Sequence, residues 1–437
     1  MKLTKKLNEL GTYPFHMPGH KRNQAFQIPG AEIDITEITG MDNLHSPDGV
    51  LLEIENKLTA HYESEKSFML VNGSTVGILA GIFTLCNEGE KIIIARNCHK
   101  SVFNACYLRK LRIVYAEPEF DTECGYYTAV TQEEIDRVTA EHPDAKALVI
   151  TSPTYEGMLS NIKCEMPLLI DAAHGAHLGI APFPAYPRGD IVVSSLHKTL
   201  PALTQTAVAN IYHPSFIKDY KKYLDIFETS SPSYVLMNSV DICTDFLSDS
   251  EQYFRRYYYE LTHLHALGLK WLKIKRTDDL GKIVVSTAGA SINAQDLAKA
   301  LRDRCGIESE AALKEHIILM TSVADTPEAF DKLKDALITI DSECDKKSFK
   351  AAFVKPPCTK DSIIIDDGGE SELTDIKHAA GKVANEYVFA YPPDIPLIVP
   401  NEVISREMCD YIAALITSGV NVISDSGNLP KVLTKAS

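Results

Sequence analysis

The sequence predicts an α/β fold with a mostly parallel sheet of the seven-stranded type, followed by a smaller α+β domain. Short apolar runs alternate with helical patterns from about residue 67 to 212, as in parallel sheets that helices cover on both faces. The chain has 437 residues, which is more than one hydrophobic core usually holds. The last part of the chain alternates shorter elements, which favours a separate small domain.

Residues 1–66 are predicted to form an N-terminal arm. They are rich in Pro, Gly, His and acidic residues, and apolar side chains recur with a helical period only at 51–62. A segment of this kind seldom buries itself. We therefore expect it to lie along another surface, often that of a partner subunit.

Residues 67–270 are predicted to form the large domain. Its second part, 213–270, is mostly helical around a Ser- and Pro-containing loop at 229–234. The predicted strands are 68–71, 91–95, 112–116, 147–151, 168–171, 191–194 and 206–212, and the helices between them are 76–86, 101–110 and 131–141.

Residues 271–437 are predicted to form the small C-terminal α+β domain. Strands are expected at 282–286 and 317–320, and helices at 294–304 and 327–340. The stretch 355–374 is rich in Pro, Asp and Gly, so we expect an exposed connection there.

Composition excludes several classes of function. The net charge of −15 argues against nucleic acid or an anionic membrane as a main partner. The ten cysteines are scattered without a C-x-x-C pair or zinc-ligand spacing, as in reduced cytosolic proteins, so we expect no metal. No signal-peptide core or run of about 18 apolar residues occurs, and we expect a cytoplasmic protein.

Two residues at predicted strand ends carry the most chemical information. Asp171 ends one apolar run, and Lys198 follows the next within Ser-Leu-His-Lys (195–198). Open α/β sheets bind ligands at the carboxyl ends of their strands. A lysine amine there can form a Schiff base with pyridoxal 5′-phosphate (PLP), and a carboxylate can keep the pyridine nitrogen protonated. The pair therefore predicts a PLP site.

A glycine-containing turn predicts where the phosphate would bind. Val-Asn-Gly-Ser-Thr (71–75) lies between a predicted strand and helix, where Gly73 allows a tight turn and Ser74 or Thr75 can supply hydroxyls. A helix N-terminus with free N–H groups attracts anions. Ser195 can also donate to the phosphate, and His197 can bind the phosphate or act as an acid.

Two further histidines and one glutamate complete the set of candidates. His99 follows another strand and can stack on a planar ring or contact a carboxylate. His174 can orient Asp171 or touch the cofactor. The proline-rich segment 391–400 forbids helix and delivers Glu402 to a defined place, where it can bind a distal ammonium or guanidinium group, or be a solvated surface residue.

At this point the chain resembles a known family, the bacterial Orn/Lys/Arg decarboxylases in their short form. These are fold type I PLP enzymes of the aspartate aminotransferase superfamily. The motifs that carry the resemblance span nearly the whole chain: His-Met-Pro-Gly-His-Lys (16–21), Asp-Ile-Thr-Glu (34–37), Leu-Val-Asn-Gly-Ser-Thr (70–75), Arg-Asn-Cys-His-Lys-Ser (96–101), Asp-Ala-Ala-His-Gly-Ala-His (171–177), Ser-Leu-His-Lys-Thr-Leu (195–200), Thr-Ser-Ser-Pro-Ser-Tyr (229–234) and Tyr-Pro-Pro-Asp-Ile-Pro-Leu-Ile-Val-Pro (391–400).

The resemblance implies a role for each candidate residue. Lys198 matches the Schiff-base lysine, Asp171 the aspartate on the pyridine nitrogen and His99 the histidine stacked on the ring. Ser230 matches a phosphate contact given by the neighbouring subunit, so a homodimer or higher oligomer with its active site at the subunit interface is expected. Glu402 matches a glutamate near the distal end of the substrate. The phosphate-side positions are Gly73, Ser74, Thr75, Ser195 and His197.

The chain departs from the family pattern at several positions. Arg22 and Asn23 replace a Gly-Gly pair, and Ala172 replaces a glutamate. Asp394 and Asn401 each replace a glycine, and both residue types tolerate unusual φ angles less well than glycine. We therefore expect an intact cofactor site and an altered substrate end.

The sequence predicts PLP-dependent decarboxylation of arginine, lysine or ornithine, with a polyamine or diamine as the product. Two alternatives stay open. One is an aminotransferase, a lyase or another PLP enzyme on the same fold, since fold does not decide reaction. A cysteine desulfurase would need a mobile loop cysteine such as Cys358, but the residues around it do not resemble that family. The other alternative is a non-catalytic homologue.

Overall fold

The computed structural model describes residues 2–313, 315–348, 353–390, 395–417 and 420–436. Within these ranges the helices are α1 (Lys2–Asn8), α2 (Val50–Tyr62), α3 (Gly73–Leu85), α4 (Lys100–Leu108), α5 (Gln132–Glu141), α6 (Leu196–Thr199), α7 (Ile217–Phe227), α8 (Tyr234–Leu247), α9 (Glu251–His265), α10 (Ala294–Cys305), α11 (Pro327–Glu343) and α12 (Arg406–Thr417). The strands are β1 (Lys66–Leu70), β2 (Lys91–Ala95), β3 (Arg112–Ala116), β4 (Phe120–Asp121), β5 (Tyr126–Tyr127), β6 (Leu148–Thr151), β7 (Leu168–Asp171), β8 (Ile191–Ser195), β9 (Ala207–Ile211), β10 (Lys273–Ile274), β11 (Lys282–Ser286), β12 (Ala311–Ala312), β13 (His316–Met320), β14 (Ile363–Ile364), β15 (Ser371–Asp375), β16 (Val388–Ala390), β17 (Ile395–Ile398), β18 (Val422–Ser424) and β19 (Lys431–Lys435).

The chain contains two compact units. The first consists of Met1–Thr84, Leu169–Tyr257 and Ser322–Ala324, and the second of Leu85–Leu168, Tyr258–Thr321 and Asp325–Ser437. Each unit combines segments that are distant in sequence. The predicted domains, in contrast, are continuous stretches of sequence with boundaries at 66 and 270, and these boundaries stay a prediction.

Four strands of the first unit lie in the order β1-β9-β8-β7. Leu70 is opposite Ala207, and Ala207 is opposite Ser195, in two antiparallel pairs. Asp171 is opposite Val193 in the parallel pair β7–β8. β1, β8 and β7 therefore run in the same direction and end at the same edge of the sheet. The residues that follow these three strands are brought together there.

Helix α3 packs closely on this sheet because Gly77 has no side chain. A Cβ atom at Gly77 would stand 2.8 Å from Leu70 Cδ1 and 2.8 Å from Val193 Cγ1, which is closer than real Cβ contacts come. The close approach sets the position of the α3 N-terminus relative to β1 and β8.

In the second unit, β6, β2 and β3 are parallel neighbours, and the short β14 pairs antiparallel with β3. A second, antiparallel sheet has the order β10-β11-β13-β12. The C-terminal part adds the sheets β17-β16-β18 and β15-β19, and α12 contributes to the apolar core beside them. Parallel strands in both units and the mixed C-terminal elements agree with the predicted α/β and α+β parts.

The arm differs from its prediction over residues 42–49. The buried carboxylate of Asp42 accepts hydrogen bonds from the amides of Asp48, Gly49 and Leu51 at 2.8–2.9 Å. Tyr234 of α8 donates its hydroxyl to the Asp42 carbonyl. This part of the arm therefore folds onto its own chain. Other arm residues have exposed apolar side chains: Tyr13, Phe15, Met17, Phe26 and Ile28.

The predicted connection at 355–374 contains β14 and the start of β15. β15 pairs with β19 along its whole length, and the hydroxyls of Thr374 and Thr434 lie 2.8 Å apart between them. Short polar strands have no alternating apolar pattern, so β15 could not be predicted from its residues. Among the described residues, no helix combines the length and apolar character that a membrane span requires.

Candidate active site

The turn between β1 and α3 has the backbone that the sequence predicts. Gly73 has a φ of +78°, a conformation that side chains disfavour, and its N–H donates to the Gln205 carbonyl at 2.8 Å. Apart from its own turn of the chain, no atom lies within 4 Å of the place where a Cβ atom of Gly73 would stand. The first turn of α3 therefore faces open space at Gly73.

Two predicted hydroxyl residues meet at this edge of the sheet. The Ser195 hydroxyl, at the end of β8, donates to Ser74 Oγ at 3.1 Å. Ser195 is buried, whereas Thr75 in the first turn of α3 is exposed. The first amides of a helix have no partner within it, so these hydroxyls and the α3 N-terminus form a set of donors suited to an anion.

Lys198 lies on the short helix α6, directly after β8. Its Nζ is 3.0 Å from His174 Nε2, and His174 follows the end of β7. The structure thus brings together two predicted site residues from adjacent strand ends. An amine and an imidazole at this distance can exchange a proton.

His197 has a defined tautomer. Its Nδ1 is 2.9 Å from the Thr206 carbonyl, which can only accept a hydrogen bond, so Nδ1 carries a proton. Burial, with a smaller contribution from Lys198, lowers the pKa of His197. Nε2 can therefore donate to a phosphate only in the imidazolium form, which an anionic ligand would favour.

Asp171 ends β7 with its side chain only 3% exposed. Its Oδ1 accepts a hydrogen bond from the Ala173 amide at 3.1 Å. In the register of the sheet it is opposite Val193, two residues before Ser195. A buried carboxylate at this edge suits a cationic partner such as a protonated pyridine nitrogen. Ala172, which the resemblance implies is a substitute for a glutamate, is the next residue and is also buried.

Ser230 lies in the loop between α7 and α8, and its side chain is exposed. The preceding residue, Thr229, donates its backbone N–H to Asn72 Oδ1 at 3.2 Å. The loop that carries Ser230 is therefore attached to the glycine turn of its own chain. The predicted contact of Ser230 with a neighbouring subunit stays a prediction.

His99 belongs to the second unit, where it precedes α4 as its N-cap. Its Nδ1 accepts a hydrogen bond from the Ser101 amide at 3.2 Å and lies 2.9 Å from Ser101 Oγ. These contacts hold the imidazole at the end of β2 in one orientation. The ring-stacking role of His99 stays a prediction.

Glu402 also belongs to the second unit, and it is buried with 6% of its surface exposed. The alternative of a solvated surface glutamate is therefore wrong. Its Oε2 accepts the Val399 amide at 3.1 Å. Burial raises the pKa of Glu402, and the charge of Arg96 partly opposes this rise. Asp394, the other departure in this region, lies outside the described residues.

Arg96 is a residue whose role sequence reasoning missed. It is fully buried, and its guanidinium donates to the carbonyls of Pro396 and Leu397 and lies 4.9 Å from the ring of Tyr115. It thereby links the end of β2, near His99, to β17, near Glu402. The signal was its place in the motif at 96–101, where an arginine directly follows an apolar strand.

The residues of the first unit fit PLP. Open space at Gly73, the paired hydroxyls of Ser74 and Ser195 and the α3 N-terminus suit the phosphate, and Lys198 and Asp171 suit the aldehyde and the ring nitrogen. Among the described residues, no three His, Cys, Asp or Glu side chains form a group that could hold a metal ion.

Comparison with known proteins identifies relatives along most of the chain. A family model described as Orn/Lys/Arg decarboxylase, major domain, matches residues 2–256, and its C-terminal domain matches 347–421. An arginine decarboxylase of Bacillus subtilis is 28% identical over 93% of this chain and 91% of its own length. The uncharacterized protein YaaO of the same organism is 32% identical over 94% of this chain and 92% of its own length.

Solved structures show the same fold. The constitutive lysine decarboxylase of E. coli superposes with a TM-score of 0.80 at 18% identity, covering 100% of this chain and 82% of its own. Serine palmitoyltransferase from S. paucimobilis, with a bound PLP–myriocin aldimine, superposes with a TM-score of 0.51 at 16% identity, covering 67% of this chain and 76% of its own. The predicted aspartate aminotransferase-like fold class is confirmed.

The family match, together with a fold shared with PLP-bound enzymes, identifies a PLP-dependent enzyme that acts on amino acids. The chain belongs to the Orn/Lys/Arg decarboxylase family. The resemblance noted in the sequence is therefore confirmed, and so are PLP as the cofactor and amino-acid decarboxylation as the class of reaction.

Proposed function

We propose that this enzyme decarboxylates a basic amino acid, arginine, lysine or ornithine, to the corresponding amine and CO₂. The observation that carries the proposal is the convergence of Asp171, His174 and Lys198 beside the Ser74–Ser195 pair, at the carboxyl ends of β1, β7 and β8. This arrangement can hold both ends of PLP within one unit. Similarity to an arginine decarboxylase over 93% of this chain supports the reaction class.

Bound PLP supplies an electron sink for the pair of electrons left when the substrate loses CO₂. The side chains of the enzyme do the rest. Lys198 Nζ would hold the cofactor through its aldehyde and would give it up to the substrate amine. His174 Nε2, 3.0 Å away, can hold the proton that this exchange moves. The buried Asp171 carboxylate would pair with the ring nitrogen and favour its protonated form.

Arginine is the first substrate to test. The arginine decarboxylases of Bacillus subtilis and Bacillus anthracis match 93% of this chain, whereas the constitutive lysine decarboxylase of E. coli matches 52%. Glu402 is proposed to stand near the distal end of the substrate. Its burial and its contact with the Val399 amide mean that it also stabilises its own segment.

We also propose a cytoplasmic homodimer, or a higher oligomer, whose active site is completed at the subunit interface. Phe15 of the arm is 93% exposed, and Tyr13 and Met17 are also largely exposed. Apolar side chains grouped in this way favour a protein partner. A second copy would cover them and place its Ser230 near the phosphate of this chain.

The experiment that tests the proposal is a product assay on PLP-loaded enzyme. Arginine, lysine and ornithine are offered separately, and amines are identified by mass spectrometry. We expect one diamine or polyamine precursor to form. Lys198→Ala should abolish turnover and the visible absorbance of lysine-bound PLP. Keto acids and pyridoxamine phosphate in place of an amine would instead identify an aminotransferase, and no product from any substrate would support a non-catalytic homologue.

A further inference from the structure

His45 and Glu228 lie behind the glycine turn, and neither is among the residues proposed to contact the cofactor. His45 belongs to the motif Asp-Asn-Leu-His-Ser-Pro-Asp-Gly (42–49), and Glu228 follows α7. Both lie in the first unit, and both contact backbone groups next to residues of the phosphate side. The loop 228–231 connects them, because it includes Glu228 and the His45 partner Thr229.

Glu228 holds the glycine turn from behind. Its Oε1 accepts the backbone N–H of Val71 at 2.7 Å, and its side chain is buried with 6% exposed. Val71 is the first residue after β1. This strand is at the end of the strand order, with β9 on one side and no strand on the other. The carboxylate therefore supplies the acceptor that a neighbouring strand would otherwise give.

His45 holds the loop 228–231 in place. Its Nε2 lies 2.8 Å from the Thr229 carbonyl, and its Nδ1 lies 2.8 Å from Asp225 Oδ1. A carbonyl and a carboxylate can only accept hydrogen bonds, so both ring nitrogens donate and His45 is an imidazolium. Burial alone would lower the pKa of His45, but its contacts with Thr229 and Asp225 raise it overall.

The loop and the turn are also joined directly. The Thr229 amide donates to Asn72 Oδ1 at 3.2 Å. Gln205 closes the other side of the turn: its carbonyl accepts the Gly73 N–H, and its side chain donates to the Val71 carbonyl at 2.6 Å. Together these contacts hold residues 71–73, at the start of α3, from both sides.

We propose that His45 and Glu228 are positioning residues for the phosphate end of the PLP site. They fix the turn 71–75 in the geometry that receives the phosphate, without touching it themselves. The inference rests on the proposed phosphate role of Gly73 and Ser74. Preorganised donors bind an anion more tightly than mobile ones, because less freedom is lost on binding.

The charges that face this pair belong to several elements. Asp225 and Lys221 lie on α7, and Lys221 Nζ donates to the His45 carbonyl at 2.7 Å. Glu55 of α2 is the further acid that acts on Glu228. Because imidazolium His45 is the form that makes both hydrogen bonds, we expect phosphate-dependent affinity to weaken as pH rises and His45 loses its proton.

The test compares PLP with pyridoxal, which lacks the phosphate. Dissociation constants of the cofactor-stripped enzyme are measured by absorbance titration, and inorganic phosphate is titrated as a third ligand. His45→Gln should weaken PLP and phosphate binding about tenfold, the loss of one charge-assisted hydrogen bond, while pyridoxal affinity stays unchanged. The control is His213→Gln, which changes an exposed histidine that contacts Ser215.

A second pair of variants keeps the test decisive if His45→Gln does not fold. Glu228→Gln preserves an acceptor for the Val71 amide and should bind PLP nearly as the wild type does, whereas Glu228→Ala should lose affinity for PLP and phosphate alone. Equal losses for PLP and pyridoxal would overturn the proposal, since they would mean general destabilisation. A wild-type enzyme that binds no PLP at all would instead refute the proposed function.

Discussion

Asn401 shows how a departure from the family pattern is accommodated at the level of one residue. The resemblance implies a glycine at this position in the family, and the φ of Asn401, +71°, is in the left-handed region. Asn is among the residues that tolerate this region, and here its Nδ2 also donates to the Ile364 carbonyl at 2.9 Å. The altered residue therefore keeps a glycine-like backbone and adds one contact.

Asn401→Val should lower the free energy of unfolding by roughly 1–3 kcal/mol, because a β-branched residue is strained in this conformation. Asn401→Gly, which restores the family residue, should change stability by less than about 1 kcal/mol. Urea unfolding of the two variants measures both values. Equal stability of the valine variant and the wild type would contradict the strain argument.

Glu402 is a second single residue whose buried surroundings allow a prediction about stability. Replacing it by Gln removes the charge that faces buried Arg96 and keeps an acceptor for the Val399 amide. We expect Glu402→Gln to lower the free energy of unfolding by roughly 1–3 kcal/mol, since Arg96 loses a buried counter-charge. Chemical denaturation tests this, and KM for arginine on the folded variant shows whether Glu402 also contacts the substrate. Unchanged stability would contradict a role in the Arg96 segment.

At the level of elements, the position of α3 depends on the absence of a side chain at Gly77. Gly77→Ala would place a Cβ atom 2.8 Å from Leu70 and Val193. We expect a loss of about 1–3 kcal/mol and weaker PLP binding, because α3 must move away from β1 and β8. The control is Gly268→Ala, where nothing lies within 4 Å. Similar midpoints of thermal unfolding for the two variants would refute close packing as the reason for Gly77.

At the level of the whole molecule, two buried acids make stability depend on pH. Burial raises the pKa of Glu156 and of Glu228 from 4.5 to about 7. A folded-state pKa above the unfolded value stabilises the protein below the unfolded pKa, and this stabilisation is lost as pH rises through the folded pKa. Because of these two groups, the free energy of unfolding should fall steadily as the pH rises from about 4.5 to about 7.

Glu156→Gln should flatten this dependence. A shift from 4.5 to about 7 corresponds to roughly 3 kcal/mol across the window, and the amide variant lacks that titration. The measurement is the free energy of unfolding at several pH values from 4.5 to 7.5. Exposed Glu133→Gln serves as the control and should keep the wild-type slope. A Glu156→Gln variant with that same slope would show that Glu156 titrates normally.

Local patterns predicted the elements that carry the site. The strands predicted at 68–71, 168–171 and 191–194 became β1, β7 and β8, and the turn at Gly73 has the positive φ that glycine allows. Such elements are readable because apolar periodicity and turn chemistry act within a few residues. The pattern failed for β15, whose polar residues are held by pairing with β19.

Long-range contacts were beyond the reach of local patterns. Nothing near His45 in the sequence indicates that it meets Thr229, 184 residues away, or that Arg96 meets Leu397, 301 residues away. A charged side chain such as that of Arg96 can be buried only where hydrogen-bond partners surround it. Because those partners come from distant segments, its burial is decided only when the segments pack together.

By itself, the sequence determined the α/β class, the strand ends that carry Asp171 and Lys198, the glycine turn and membership in the decarboxylase family, because each depends on residue types at short spacing. Only the tertiary structure decided the 3.0 Å approach of Lys198 to His174, the burial of Glu402 and the support that His45 and Glu228 give to the turn. These depend on which strand ends and loops meet in space, and that is fixed by sheet register and helix packing rather than by any single segment.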